Sequence, residues 1–149
     1  MRSVNYDSGI YLLEIYLQKR MEVDIGARGN FSFPAGYYYY CGSAQRNLAA
    51  RVQRHYRRST GKKMHWHIDY FLAETELQAH FTWQLEAEAE CQLAAYLEQN
   101  LQGDIIVTGF GASDCKCSAH LFYFQDRLSP EDIAGFHFRS KTGSDVDGK

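Results

Sequence analysis

The sequence predicts an α/β (α+β) domain, a small, mixed or mainly antiparallel sheet flanked by helices. Two dense aliphatic and aromatic runs, residues 10–17 and 37–41, read as strands, because β-branched and aromatic side chains suit a pleated, packed surface. Two later segments, residues 46–58 and 86–101, carry apolar residues at helical spacing. The 149 residues are the size of one compact domain, and 11 Tyr and 9 Phe supply bulk for a single core.

Taken in order, residues 10–17 form a buried strand, and Gln18, Lys19 and Arg20 a polar turn. Residues 21–27 alternate, with Met21, Val23 and Ile25 set against Glu22, Asp24 and Gly26, and are expected to pair with the first strand as a hairpin. A third strand follows Pro34-Ala35-Gly36. It sends Tyr38 and Tyr40 to one face and Tyr37 and Tyr39 to the other, and Gly42-Ser43 is expected to end it. The helix over residues 46–58 has Leu48, Val52 and Tyr56 as its apolar stripe, with Arg51, His55 and Arg58 on the flank. A loop at residues 59–63 leads to a short helix over 66–72 and a weakly alternating strand over 76–83. The helix over 86–101 consists of strong helix formers, buries Leu93, Ala94, Leu97 and Leu101, places Glu90 on that same face, and stops at Gly103. After a glycine-rich loop, residues 120–124 read as a last strand, and Ser129-Pro130 starts a helix with an N-cap and a proline at its first position. Residues 1–139 are taken as one domain and residues 140–149 as a small, polar, disordered tail.

The formal net charge of −2 conceals an asymmetry. Residues 45–63 contain five Arg, two Lys and one His with no acid, whereas residues 74–98 are acidic. A basic block beside an acidic one reads as a local phosphate-binding surface. The N-terminus lacks a signal-like hydrophobic stretch, and no run approaches membrane-spanning length. Cys41, Cys91, Cys115 and Cys117 are therefore expected to be reduced thiols in a cytoplasmic protein with no membrane partner.

Several residue types suit phosphodiester hydrolysis, which must deprotonate water, neutralise charge at phosphorus, stabilise the leaving oxygen and hold the strand. A carboxylate in the apolar stripe of a helix is costly to bury alone, and a divalent cation at the end of the stripe would resolve that cost for Glu90; the alternative is a boundary residue favoured by the helix dipole. Arg51 is placed to contact a phosphate bidentately, and His55, one turn on, to accept a proton; the alternative is a solvated helix face. Tyr11 and Tyr40 are either packing residues or phenols that neighbouring Arg and His charges tune toward the phenolate. His65, Trp66 and His67 follow the basic loop, where Trp66 either stacks on an unpaired base or packs ordinarily. Cys115, Cys117 and His120 offer three soft ligands to Zn²⁺ at a spacing tighter than Cys-x₂₋₄-Cys; buried thiols in a turn are the default reading.

Gly9-Ile10-Tyr11 and Tyr40-Cys41-Gly42, followed by Ser43-Ala44 and then Leu48, Arg51, Val52 and His55 at helical spacing, resemble the ordered motifs of the GIY-YIG nuclease family. The resemblance spans roughly residues 9–97 and implies a small sandwich around a three-stranded antiparallel sheet, here with an added hairpin segment and a C-terminal strand. It also implies that Tyr11, Tyr40, Arg51 and His55 surround one divalent cation, Mg²⁺ or Mn²⁺, held by Glu90. Tyr11 and Tyr40 stand farther apart than is usual in that family, and its late Asn has no clear counterpart. The stretch over residues 109–124 resembles that of a prokaryotic branch of small stand-alone members, some of whose relatives are fused to DNA glycosylase-like enzymes, which implies DNA processing or repair.

The resulting expectation is a metal-dependent endonuclease that hydrolyses phosphodiester bonds, with DNA favoured and single-stranded or branched substrates included. Tyr11, Tyr40, Arg51, His55 and Glu90 would be catalytic, and Arg46, Arg54, Arg58, Lys62, Lys63, His65, Trp66 and His67 would hold the nucleic acid. The rival expectation is a non-catalytic nucleic-acid-binding module on the same fold, whose binding would depend steeply on salt and not on metal.

Overall fold

The structure, a computed structural model, describes residues 7–26, 29–56, 67–112 and 117–138. Among these, Arg58, Lys62, Lys63, His65, Trp66, Cys115 and the tail at 140–149 are not included. The elements in chain order are β1 (Gly9–Leu17), β2 (Met21–Asp24), β3 (Asn30–Phe33), β4 (Gly36–Ala44), α1 (Leu48–Tyr56), α2 (His67–Leu72), β5 (Glu76–Trp83), α3 (Ala89–Ala95), β6 (Leu121–Phe124) and α4 (Pro130–Ala134). The architecture is α+β, with an antiparallel sheet in the order β5-β1-β4-β6.

The main sheet thus has four strands where three were expected. The strand over residues 21–24 also does not join β1: β2 pairs with β3 as a separate two-stranded ribbon, Met21 opposite Phe33 and Asp24 opposite Asn30. A strand has only two hydrogen-bonding edges, and both edges of β1 are taken, by β4 along its whole length and by β5 from Ile10 to Tyr16. The alternating apolar side of the ribbon still finds a core, because Val23 and Phe33 are buried beneath the main sheet with α2.

The pleat divides the core into two layers. Tyr11, Leu13, Ile15, Tyr38 and Tyr40 point to the face covered by α1, α2 and the ribbon, through Leu48, Val52, Ile68 and Phe71. Ile10, Leu12, Tyr39 and Cys41 point to the opposite face, covered by α3 and α4 through Ala89, Leu93, Leu97, Ile133 and Phe136. The four-tyrosine run therefore splits between the layers as its alternation dictates. Glu14, on the second face and almost fully buried, accepts from the Tyr39 hydroxyl at Oε1 (3.0 Å), and its Oε2 lies in a close ion pair, not an aligned hydrogen bond, 3.0 Å from Arg127 Nε.

Element ends follow local chemistry. Gly42 and Ser43 do not end β4, which continues to Ala44 because Gly42 keeps its ladder position opposite Tyr11. Helix α1 starts two residues later than the pattern suggested. Asn47 adopts a left-handed φ of 58°, and Asp7 caps the helix from outside, its carbonyl accepting from Leu48 N at 2.9 Å. Helix α3 begins at Ala89 and runs into a wide turn over Tyr96–Asn100. The left-handed residue that closes it is Gln102, and Gly103 N then donates back to Leu97 O at 2.9 Å. Ser129 caps α4 as expected: its hydroxyl accepts from Asp132 N at 3.0 Å, and the Asp132 carboxylate reaches back to Ser129 N. Ser129→Ala should lower stability by about 1 kcal/mol, read as a shift in urea midpoint with an unchanged slope. An unchanged midpoint would mean that the cap does not stabilise this helix.

Candidate active site

Five residues distant in sequence meet at one end of the sheet, where β1, β4, α1, α3 and the segment before β6 come together. Tyr11 lies near the start of β1, and its hydroxyl is 2.8 Å from His55 Nε2 on α1. Both residues are nearly fully enclosed, at 3 % and 2 % exposure. Arg51, one turn before His55, donates from Nη1 to the Ser43 carbonyl at 3.2 Å. The Ser43 hydroxyl in turn donates to Glu90 Oε1 at 2.7 Å. The second Glu90 oxygen lies 2.8 Å from His120 Nδ1. That separation is short, but the ring N–H does not point along it, so this is a close polar contact and not an aligned hydrogen bond.

Two glycines make this geometry possible. Gly42 is the cross-strand partner of Tyr11, and a Cβ there would sit inside the Tyr11 ring, so the bare backbone is the surface on which the phenol lies. Gly9 has φ 154°, and a Cβ there would overlap the Trp83 carbonyl of β5. The glycines that open the first tyrosine tripeptide and close the second are thus needed for close backbone approach. Tyr40 packs on the same face, its ring centroid 6.3 Å from that of His55 and 6.2 Å from that of Phe110, beneath Gly111.

The electrostatics differ from the sequence expectation. Arg51 does lower the Tyr11 phenol through its charge and as a hydrogen-bond donor, but burial is the larger effect, and Glu90 and Asp69 add to it, so the phenol is pushed well above its usual range. Tyr40 is also pushed well up, first by burial and then by Tyr11, Glu90, Cys41 and Asp69. Both tyrosines are therefore protonated at neutral pH, and the Tyr11 hydroxyl shares a hydrogen bond with His55 Nε2.

Glu90 and Arg51 are the two of the five that are only partly buried, the Glu90 side chain being 20 % exposed. Ser43 engages one lone pair on Oε1, and a carboxylate has about four lone-pair sites, so capacity for a cation remains.

The proposed strand-holding residues separate. Arg46 is exposed at the turn before α1. Arg54 is held in a bidentate pair with the fully buried Asp69 of α2, at 2.9 and 3.1 Å, and would have to leave that carboxylate to grip a phosphate. His67 Nδ1 accepts from Gly111 N at 3.1 Å and its ring lies against Phe110, so this histidine fixes the loop over the site. Arg58, Lys62, Lys63, His65 and Trp66 lie outside the described residues. Two open clefts, of about 380 Å³ beside Tyr96 and Phe136 and about 470 Å³ beside Val23 and Tyr70, lie away from the five residues.

Residues 10–140 match the family model described as a domain of unknown function, DUF123. The chain belongs to the DUF123 family. No curated protein and no solved structure matches it. The span matched in this DUF123 chain contains Tyr11, Tyr40, Arg51, His55 and Glu90. Sequence reasoning missed Ser43 as the link between Arg51 and Glu90, and His120 as a neighbour of Glu90. The signal for Ser43 was its place directly after Gly42 in a strand that runs on to Ala44. For His120 there was none, because it is joined to Cys41 only through the sheet, His120 O accepting from Cys41 N at 2.9 Å.

Proposed function

We propose that this DUF123 domain is a divalent-metal-dependent phosphodiesterase that cuts nucleic acid, with DNA as its favoured substrate. The observation that carries the reading is the polar chain Tyr11–His55 and Arg51–Ser43–Glu90–His120, in which base, cation and carboxylate lie side by side at one end of the sheet. The motif resemblance to GIY-YIG nucleases, which supplied Tyr11, Arg51, His55 and Glu90 without reference to geometry, supports it.

Glu90 fits a hard cation: it is a single carboxylate at the site's solvent edge, and Mg²⁺ or Mn²⁺ commonly takes one or two carboxylates with water and phosphate oxygens as its other ligands. Such a cation would supply charge against the phosphate and the leaving oxygen. The raised phenols define the proton path. Tyr11 does not ionise beforehand; it takes a proton from water as its own passes to His55 Nε2, and the positive charge then rests on an imidazole already in contact. A cation at Glu90 also cancels the negative neighbour that raises both Tyr11 and Tyr40. Arg51, oriented by its bond to Ser43 O and charged beside Tyr11, would bring a guanidinium to a phosphate at the site.

Arg51→Ala should lower the rate of cleavage of a DNA substrate by roughly 100- to 1000-fold, the usual effect of losing one donor at a developing negative charge. Wild-type activity should vanish in EDTA and return with Mg²⁺ or Mn²⁺. Equal cleavage by wild type, Arg51→Ala and EDTA-treated protein would reject the assignment.

A further inference from the structure

Behind the Glu90 carboxylate lies a second cluster of chemistry. Cys91 is the next residue on α3, and Cys117 and His120 lie in the segment that enters β6. One ligand atom from each of these three lies within 4.8 Å of the others. The thiols are half-buried and the imidazole is buried. We propose that Cys91, Cys117 and His120 form a zinc site that clasps α3 to the strand β6 side of the sheet.

The donor set selects the metal. Two thiolates and an imidazole suit Zn²⁺ and disfavour Mg²⁺, which prefers oxygen. Tetrahedral zinc, with Zn–S near 2.3 Å and Zn–N near 2.0 Å, places its ligand atoms roughly 3.5–3.8 Å apart. A spread of at most 4.8 Å therefore closes onto an ion with a contraction of about an ångström, within the reach of side-chain rotation. The two halves are already held in place by other contacts. Helix α3 packs on the sheet through Ala89 and Leu93, and His120 is fixed by backbone bonds on both sides, its N donating to Phe110 O at 2.7 Å and its O accepting from Cys41 N at 2.9 Å. Glu90 Oε2 lies 2.8 Å from His120 Nδ1, and a rotation of the ring would let that carboxylate back a metal-bound imidazole and leave the other ring nitrogen to the ion.

The three protein ligands would leave the fourth tetrahedral position to water. Binding would release the thiol protons to solvent as the Zn–S bonds form. The site differs from the sequence expectation in one ligand: Cys91, adjacent in space, joins Cys117 and His120, and Cys115 lies outside the described residues.

The experiment does not depend on nuclease activity. The full chain, purified without chelator in zinc-supplemented medium, should hold about one zinc per chain by elemental analysis. Reconstitution with Co²⁺ should give a thiolate-to-cobalt charge-transfer band whose intensity falls in Cys91→Ser and again in Cys117→Ser. On the unaltered protein, iodoacetamide followed by peptide mass mapping should leave Cys91 and Cys117 protected when zinc is bound and alkylated after EDTA. Wild-type protein that retains no zinc, or thiols alkylated equally with and without zinc, would overturn the site even if the serine variants fail to fold.

Discussion

Glu90→Gln should reduce cleavage in Mg²⁺ to the level of the wild-type domain in EDTA, while DNA binding and folding persist. The substitution keeps the shape of the side chain and an oxygen that accepts from Ser43 Oγ, now 2.7 Å from Oε1. It removes the charge that would hold a hard cation at the solvent edge of the site. The cation's share of transition-state stabilisation is at least that of one oriented donor, so the rate should fall by about 100- to 1000-fold or more. DNA affinity rests on basic groups and should be equal or slightly higher, with the same slope against salt concentration. This variant therefore separates the two functional readings. A non-catalytic binding module would show neither metal-dependent cleavage in the wild type nor any consequence of Glu90→Gln. Retention of full metal-dependent cleavage by the glutamine variant would remove Glu90 from the mechanism.

Gly42→Ala is expected to affect both stability and the site. The new methyl group would fall within the ring of Tyr11, which is enclosed at 3 % exposure and held against His55 at 2.8 Å. The backbone cannot recede, since Gly42 sits mid-ladder opposite Tyr11. The phenol must leave its position, at a cost of roughly 1–3 kcal/mol, the usual range for overpacking a filled core. The melting temperature should fall by several degrees, and activity should fall with the Tyr11–His55 contact. In a Tyr11→Ala background, Gly42→Ala should cost little further stability, because the clash then has no second partner. If Gly42→Ala melts with the wild type and cleaves normally, the phenol does not depend on that bare backbone.

The parts of the fold that were legible in the sequence are those where one residue's environment depends on its near neighbours. Alternation split the tyrosines of β4 between two layers, the Leu48–Val52 stripe placed α1, and Ser129-Pro130 marked the start of α4. Pairing partners were not legible, because the alternating pattern of β2 fits any free sheet edge; only the occupation of both edges of β1 sends it to β3. The same holds for charge. Arg54 and Arg51 look alike on one helix face, yet Asp69, folded in from α2, claims the first, and Ser43 orients the second. Proximity of Arg51 to Tyr11 was foreseen, but the direction of the phenol's shift was not, because a buried-strand pattern does not say that enclosure outweighs a neighbouring guanidinium.

The last strand to be made, β6, lies against the strand that carries Tyr40, and the residue that touches Glu90 immediately precedes it. During synthesis the tyrosines, the basic helix and the acid all emerge before His120, but β4 has an open edge until residues 121–124 arrive to cover it. A ribosome-bound chain interrupted before this point would carry every proposed catalytic group without the frame that aligns them. The proposed cutting activity would therefore await the pairing of β6 with β4.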